Sequence, residues 1–230
     1  GGHTVTVTPM TPAEDARTND FDSKTPMKLA LRSKLTWLMS AFILFYQGTE
    51  VAIGGWIVTF LLDYRKGDPT TVGYVASGYW AGLTVGRLLL TRPMHKHLGA
   101  RRAIISLALT AIVCITICWV VPSVVVSGIF CSFAGIFIGP TYPLFITLAA
   151  RILPRKIQVV SLTITTAFGS SGGALFPFFV GLIAQFKGTY VVFPVAIALY
   201  GTMLLCWIQL PNIERIEKGE GRLTWWQKIW

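Results

Sequence analysis

Glu50 is the only carboxylate inside an apolar stretch of this chain, and its depth limits what it can do. It stands fourteen residues after Thr36, where that stretch begins. At 1.5 Å per residue it lies about 21 Å along a helix, near the middle of a bilayer. An ionised acid there costs roughly 2.5–3.5 kcal/mol on insertion scales, so it must face a bundle interior or a water-filled cavity, protonated or paired. Such a group reads as a substrate or proton-coupling residue, with a structural hydrogen bond to a neighbouring helix as the alternative. Gln47 and Tyr46 precede it by three and four residues and fall on or near the same helix face. They can hydrogen-bond a hydroxylated solute without adding charge, or simply join two helices. Trp56 can stack on the apolar face of such a solute or anchor at the membrane interface.

A second group of candidates sits at expected helix breaks. Pro140 and Pro143 interrupt one apolar segment, and Gly172-Gly173 with Pro177 are expected to interrupt the next. Broken helices free backbone groups to line a cavity, which makes Thr141, Tyr142, Ser170 and Ser171 further solute ligands; a kink absorbed by neighbours is the plainer reading. Arg87 precedes Arg92 closely and is expected to snorkel to the surface or bond helix-end carbonyls, a structural or gating role. His95 and His97 lie in a basic loop without further metal ligands, and no metal site or cofactor is expected. Cys114, Cys118, Cys131 and Cys206 lie within apolar runs and read as core packing. No hydrolase, metalloprotease or nucleotide-binding motif occurs, and a lone carboxylate offers no acid–base pair, so an enzyme is not expected.

These residues must be positioned by membrane-spanning helices. Charged residues form only 13% of the 230, hydrophobic ones 53%, where a soluble domain carries about 25% charged. The apolar residues come in six runs, Thr36–Leu62, Thr71–Thr91, Ala103–Val121, Val124–Ala150, Ile157–Phe186 and Thr189–Leu210. Each approaches or exceeds the roughly 20 residues that cross a bilayer as a helix; spanning strands would have to close into a barrel of short alternating segments. The expectation is an all-α membrane protein with a six-helix bundle over 36–210. Residues 1–35 read as a disordered polar arm, the central loop of a longer protein, and 211–230 as a tail with an interfacial segment at Trp225, Trp226 and Trp230. The chain begins Gly1-Gly2-His3 and carries no signal peptide pattern, which reads as a fragment.

The net charge of +10 resides in the connections between runs, so nucleic acid is not the expected partner. Fifteen Lys and Arg fall on one side of the six-helix arrangement and three, Arg65, Lys66 and Lys187, on the other. By the positive-inside rule both termini are then cytoplasmic. Small residues four apart mark faces where helices approach closely: Gly78, Gly82 and Gly86 in the second segment, Gly128, Ser132, Gly135 and Gly139 in the fourth, Gly169, Gly173 and Gly181 in the fifth. The third segment has no glycine and the sixth only one inside it. Helices one, two, four and five are thus expected to pack, with three and six facing lipid. That rhythm fits an inverted three-plus-three repeat.

The stretch from Tyr46 through Glu50 to Gly54-Gly55-Trp56 resembles the seventh helix of fucose-permease-like major facilitator proteins, in particular fungal members of the bypass-of-stop-codon type. Gly86-Arg87 with Gly99-Ala100-Arg101-Arg102 resembles that family's loop between helices eight and nine. Gly139-Pro140-Thr141-Tyr142-Pro143 resembles its tenth helix and Gly169-Ser170-Ser171-Gly172-Gly173-Ala174 its eleventh. The family's loop usually carries an acid before its basic pair, where this chain has Lys96 and His97. The resemblance covers residues 36–210 and implies the C-terminal half of a twelve-helix plasma-membrane symporter of sugars or similar small polar solutes, working by alternating access with a second six-helix bundle and with a proton as the candidate co-substrate. Gly86, Arg87, Gly99, Arg101 and Arg102 would then serve gating. A receptor or assembly partner that kept the scaffold is the rival from another class.

Overall fold

The computed structural model describes residues 25–210, which contain helices and no strand. The helices are α1 (Lys34–Asp63), α2 (Gly73–Leu89), α3 (Thr91–Val120), α4 (Val124–Ile138), α5 (Thr141–Ile152) and α6 (Arg155–Lys187), then a 3₁₀ turn (Thr189–Val191) and α7 (Val192–Gln209). Residues 25–32 are also helical, separated from α1 by Ser33, although their polar composition reads as part of a disordered arm. The Trp-rich segment lies outside the described residues. Five spans are long and apolar enough to cross a membrane: α1, α3, α4 joined to α5, α6, and Thr189–Gln209. The second apolar run supplies α2, whose 17 residues rise about 25 Å, at the short limit for a spanning helix.

The proline signals divide. Pro140 ends the α4 ladder, and Pro143 sits in the first turn of α5, where its missing N–H would be unpaired anyway. The expected break in the fifth span is absent: α6 is continuous through Gly172, Gly173 and Pro177. A single proline removes one backbone bond, and the rest of the 33-residue ladder carries the helix across. A further device lies in α3. Gly99 adopts φ 75° and ψ 159°, a conformation open essentially to glycine alone. It joins a short helix over 91–98, where a loop was expected, to the spanning part of α3.

Packing follows the internal repeat. α1 packs most extensively on α6 and α2 on α4; exchanging first with fourth, second with fifth and third with sixth span converts one pair into the other. Both seams use glycine against backbone. A Cβ on Gly82 or Gly86 would overlap the carbonyl of Ser132 or Ile136, and one on Gly135 or Gly139 would overlap that of Tyr79 or Leu83. Pro140 deprives the Ile136 carbonyl of its usual i+4 donor, and that is the carbonyl Gly86 approaches. On the other seam Gly172 meets the Leu44 carbonyl, and two hydroxyl pairs, Thr36–Ser161 at 3.0 Å and Ser40–Thr165 at 3.3 Å, bridge the helices.

The glycine count misassigned the outer helices. α3 and α7 each bury a full face of larger side chains, among them Ala108, Ile115 and Cys118 on α3 and Phe193, Tyr200 and Trp207 on α7, while Leu109, Val113 and Leu205 point outward. α6 is instead the least buried span. Its outer face shows Val159, Phe178 and Phe186, and α2 shows Tyr74, Leu88 and Leu89.

Candidate functional site

Glu50 lies sixteen residues into α1 and is 7% exposed. The turn of α1 that carries it faces α2, where Arg87 projects from the last turn. One guanidinium nitrogen, Nη2, donates to both carboxylate oxygens, at 2.9 and 3.1 Å. The acid is therefore paired across two helices, and Arg87 neither snorkels away from the bundle nor caps helix-end carbonyls as its neighbourhood to Arg92 suggested. Its side chain remains 44% exposed. Tyr79, one helix face along α2, donates its hydroxyl to the Glu50 backbone carbonyl at 3.3 Å. Gly54 admits the Trp80 ring, since a Cβ there would strike it, which lets the α1 and α2 faces close around the pair.

The other candidates divide into those at this site and those remote from it. Tyr46, one turn before Glu50, is buried within electrostatic reach of Glu50 and Arg87, yet its hydroxyl makes no hydrogen bond of acceptable geometry. Its ring lies 6.3 Å from that of Tyr142 at the start of α5. Thr141, adjacent, is buried with its hydroxyl unpartnered among the described residues. Gln47 is half-buried and turns toward α6, against Gly169. Ser170 and Ser171 are exposed on the outer face of α6, and Ser171 donates to its own helix at the Ala167 carbonyl, 3.0 Å. With the helix unbroken there, nothing aims these two serines at Glu50.

Trp56 does not sit on the Glu50 face. Its indole N–H donates to the Pro177 carbonyl at 2.9 Å, and Gly181 accepts its ring. The two helices leave an open cleft of about 450 Å³ here, with Thr59, Asp63, Phe178 and Gln185 among its walls.

The loop motif has become a helix clamp. Beyond the Gly99 turn, Arg101 is buried and donates to the carbonyls of Leu210 and Ile208, at 2.6 and 2.9 Å, while Trp207 donates back to the Arg101 carbonyl at 3.2 Å. Arg102 is half-buried, and Gly86 belongs to the α2–α4 seam. Arg65 acts similarly at the opposite end of the bundle, donating to the Cys118 and Trp119 carbonyls at the end of α3. Among the described residues, His95 and His97 join no cluster of three metal-ligating side chains.

Two known proteins are similar to this chain in sequence. Bypass of stop codon protein 6 of Saccharomyces cerevisiae is 29% identical over 191 residues, 78% of this chain and 36% of the relative. A protein of Acinetobacter baylyi named benzoate transport protein is 26% identical over 174 residues, 71% of this chain and 37% of the relative. The chain thus spans little more than a third of the length of these relatives. The family model described as Major Facilitator Superfamily matches residues 38–227. That match runs through the Glu50–Arg87 pair and both glycine seams, and the chain, a multi-pass membrane protein, belongs to the Major Facilitator Superfamily.

Proposed function

We propose that this chain supplies the C-terminal half of a secondary active transporter that moves a small polar solute, of the sugar type, by alternating access. The observation that carries the reading is the Glu50–Arg87 pair: a carboxylate held mid-span, with a half-exposed arginine as its only ionic partner among the described residues. Membrane proteins seldom keep a charge at that depth without a use for it. Glu50 is the proton-coupling group, Arg87 its counter-ion, and Tyr46, Thr141 and Tyr142 supply hydrogen bonds nearby. The name of the Acinetobacter relative supports small-solute transport as the class.

The exposed aromatic and aliphatic faces of α2 and α6 are the surfaces on which a second six-helix bundle moves. The glycine stripes do not serve there, because both are used inside this bundle. The asymmetry of Lys and Arg supports the reading that both termini are cytoplasmic, and the proposed site of action is the plasma membrane. Vesicles from cells expressing the protein in its native gene context test the coupling. Glu50→Gln should abolish proton-driven accumulation of labelled hexose and leave hexose counterflow intact. Accumulation undiminished in that variant would refute the role of Glu50.

A further inference from the structure

The α1–α6 seam changes character along its length. At one end the hydroxyl pairs Thr36–Ser161 and Ser40–Thr165 bridge the helices, and Gly172 then meets the Leu44 carbonyl. Further on the contacts pass through rings: Phe176 fills the space over Gly48, and Trp56 fills that over Gly181. Beyond Trp56 the cleft of about 450 Å³ opens between the two helices. That volume falls within the roughly 300–1,000 Å³ of small-molecule sites. Neither Glu50 nor Arg87 is among its walls, and its chemistry is independent of theirs.

Helix periodicity grades those walls. Trp56, Thr59 and Asp63 stand on one face of α1, and Phe178, Gly181 and Gln185 on one face of α6. Residue numbers rise together along the seam, so the helices run parallel and both stripes pass from an aromatic residue to a polar one in the same direction. An aromatic floor is thereby separated from a polar mouth by seven residues, about 10 Å along the helix. The indole N–H bond to the Pro177 carbonyl, at 2.9 Å, fixes the Trp56 ring, and a ring so held is a platform for an apolar or cationic group. At the mouth Asp63 is exposed, and its carboxylate makes no hydrogen bond or ion pair among the described residues. Arg65 does not neutralise it, since that guanidinium donates to the Cys118 and Trp119 carbonyls. Lys187 is not in the walls either, which leaves Asp63 as their one charged side chain among the described residues.

We propose that this cleft binds a small organic ammonium ion with an apolar tail, in its simplest form an arylalkylamine. The ammonium group donates to the Asp63 carboxylate and to the Gln185 amide oxygen, while the tail lies between Trp56 and Phe178. A neutral alcohol of the same shape gains the aromatic floor but no charge pairing. An anion faces an uncompensated carboxylate. The bound ammonium ion touches both helices and so holds the α1–α6 opening at this end of the seam.

The protein purified from its native gene context, in nanodiscs of phosphatidylcholine, tests this with labelled phenethylamine, its neutral analogue phenethyl alcohol and the anion phenylpropanoate. Empty nanodiscs serve as the blank. An alkylamine titrates near the lysine value of about 10.4 and is cationic at about pH 7. Saturable amine binding is expected, about fivefold tighter than the alcohol, the upper range for a solvent-exposed ion pair, with the anion weakest. Asp63→Asn, a nearly isosteric change at an exposed position that keeps the fold, should bring the amine to the level of the alcohol. Asp68→Asn, in the neighbouring turn outside the cleft, should change nothing. Gln185→Cys should react with a maleimide beyond the reaction of the parent protein, and the amine should protect it. Equal affinity for amine and alcohol would overturn the proposal, as would amine binding that survives Asp63→Asn or falls equally in Asp68→Asn. Failure of the amine to protect Gln185→Cys would place its binding elsewhere and overturn it too.

Discussion

Gly86→Ala is the smallest change that strikes the α2–α4 seam. A Cβ at Gly86 meets the Ile136 carbonyl oxygen and stands 2.8 Å from its carbon and 3.0 Å from the Ile136 Cα. Carbons rest about 3.5–4.0 Å apart, so the helices must part by roughly 0.5–1 Å, a gap that forfeits about a quarter to a half of the attraction at each contact. Overpacking of this kind costs about 1–3 kcal/mol. The better helix propensity of alanine returns up to about 1 kcal/mol, leaving a net loss on the order of 1–2 kcal/mol. Gly55 provides the control, for nothing lies within 4 Å of a Cβ there. Gly55→Ala should keep the propensity gain and be neutral or slightly stabilising. Reversible unfolding in mixed micelles with increasing SDS measures both. If Gly86→Ala proves as stable as Gly55→Ala, the close approach of α2 and α4 is wrong.

Arg101→Met removes two charge-assisted bonds to the end of α7. It should cost about 1.5–3 kcal/mol in the same assay, whereas Arg92→Met on the exposed surface should stay within about 0.5; equal effects would dissolve the clamp. Cysteines introduced at Asp68 and Lys96 should label in sealed cells from outside and inside respectively, and the reverse pattern would invert the orientation. Asp68 is held below the ordinary carboxylate range by the Thr70 N–H and hydroxyl, at 2.9 and 2.7 Å. These bonds are therefore intact above the unfolded aspartate value and lost only as pH falls through the lowered one. The Asp68 carboxyl resonance should titrate below about 3.9, and titration at or above that value would contradict the turn.

Much of the scaffold was legible in the sequence because a bilayer dictates it. Apolar runs of spanning length map onto α1, α3, α4 with α5, α6 and α7, and Pro140 breaks its helix as its chemistry requires. The glycine stripes correctly marked close approach but carried no information about which helix approached. Nor does lack of glycine mean exposure: Ala108, Ile115 and Cys118 bury α3 through side-chain packing. The prominence of Glu50 could be read from burial cost alone. Its partner could not, because Arg87 lies 37 residues away on another helix and sits beside a more obvious surface cluster. The break expected beside Ser170 and Ser171 failed for a comparable reason: the glycines and Pro177 signalled an interruption without revealing that the helix continues unbroken and turns these serines to its exposed face.

On the proposed reading this bundle is one wall of a transporter and acts against a second. Uptake by the purified 230-residue chain in proteoliposomes, measured together with its oligomeric state, tests that most directly. A solute path at the midplane needs walls on both sides, and alternating access needs one bundle to move against another. The described bundle instead leaves α2 and α6 with bare apolar faces. The monomer should therefore be inactive toward labelled hexose, with uptake only in preparations where a second six-helix bundle is associated. Sustained, saturable uptake by a demonstrated monomer would contradict the account.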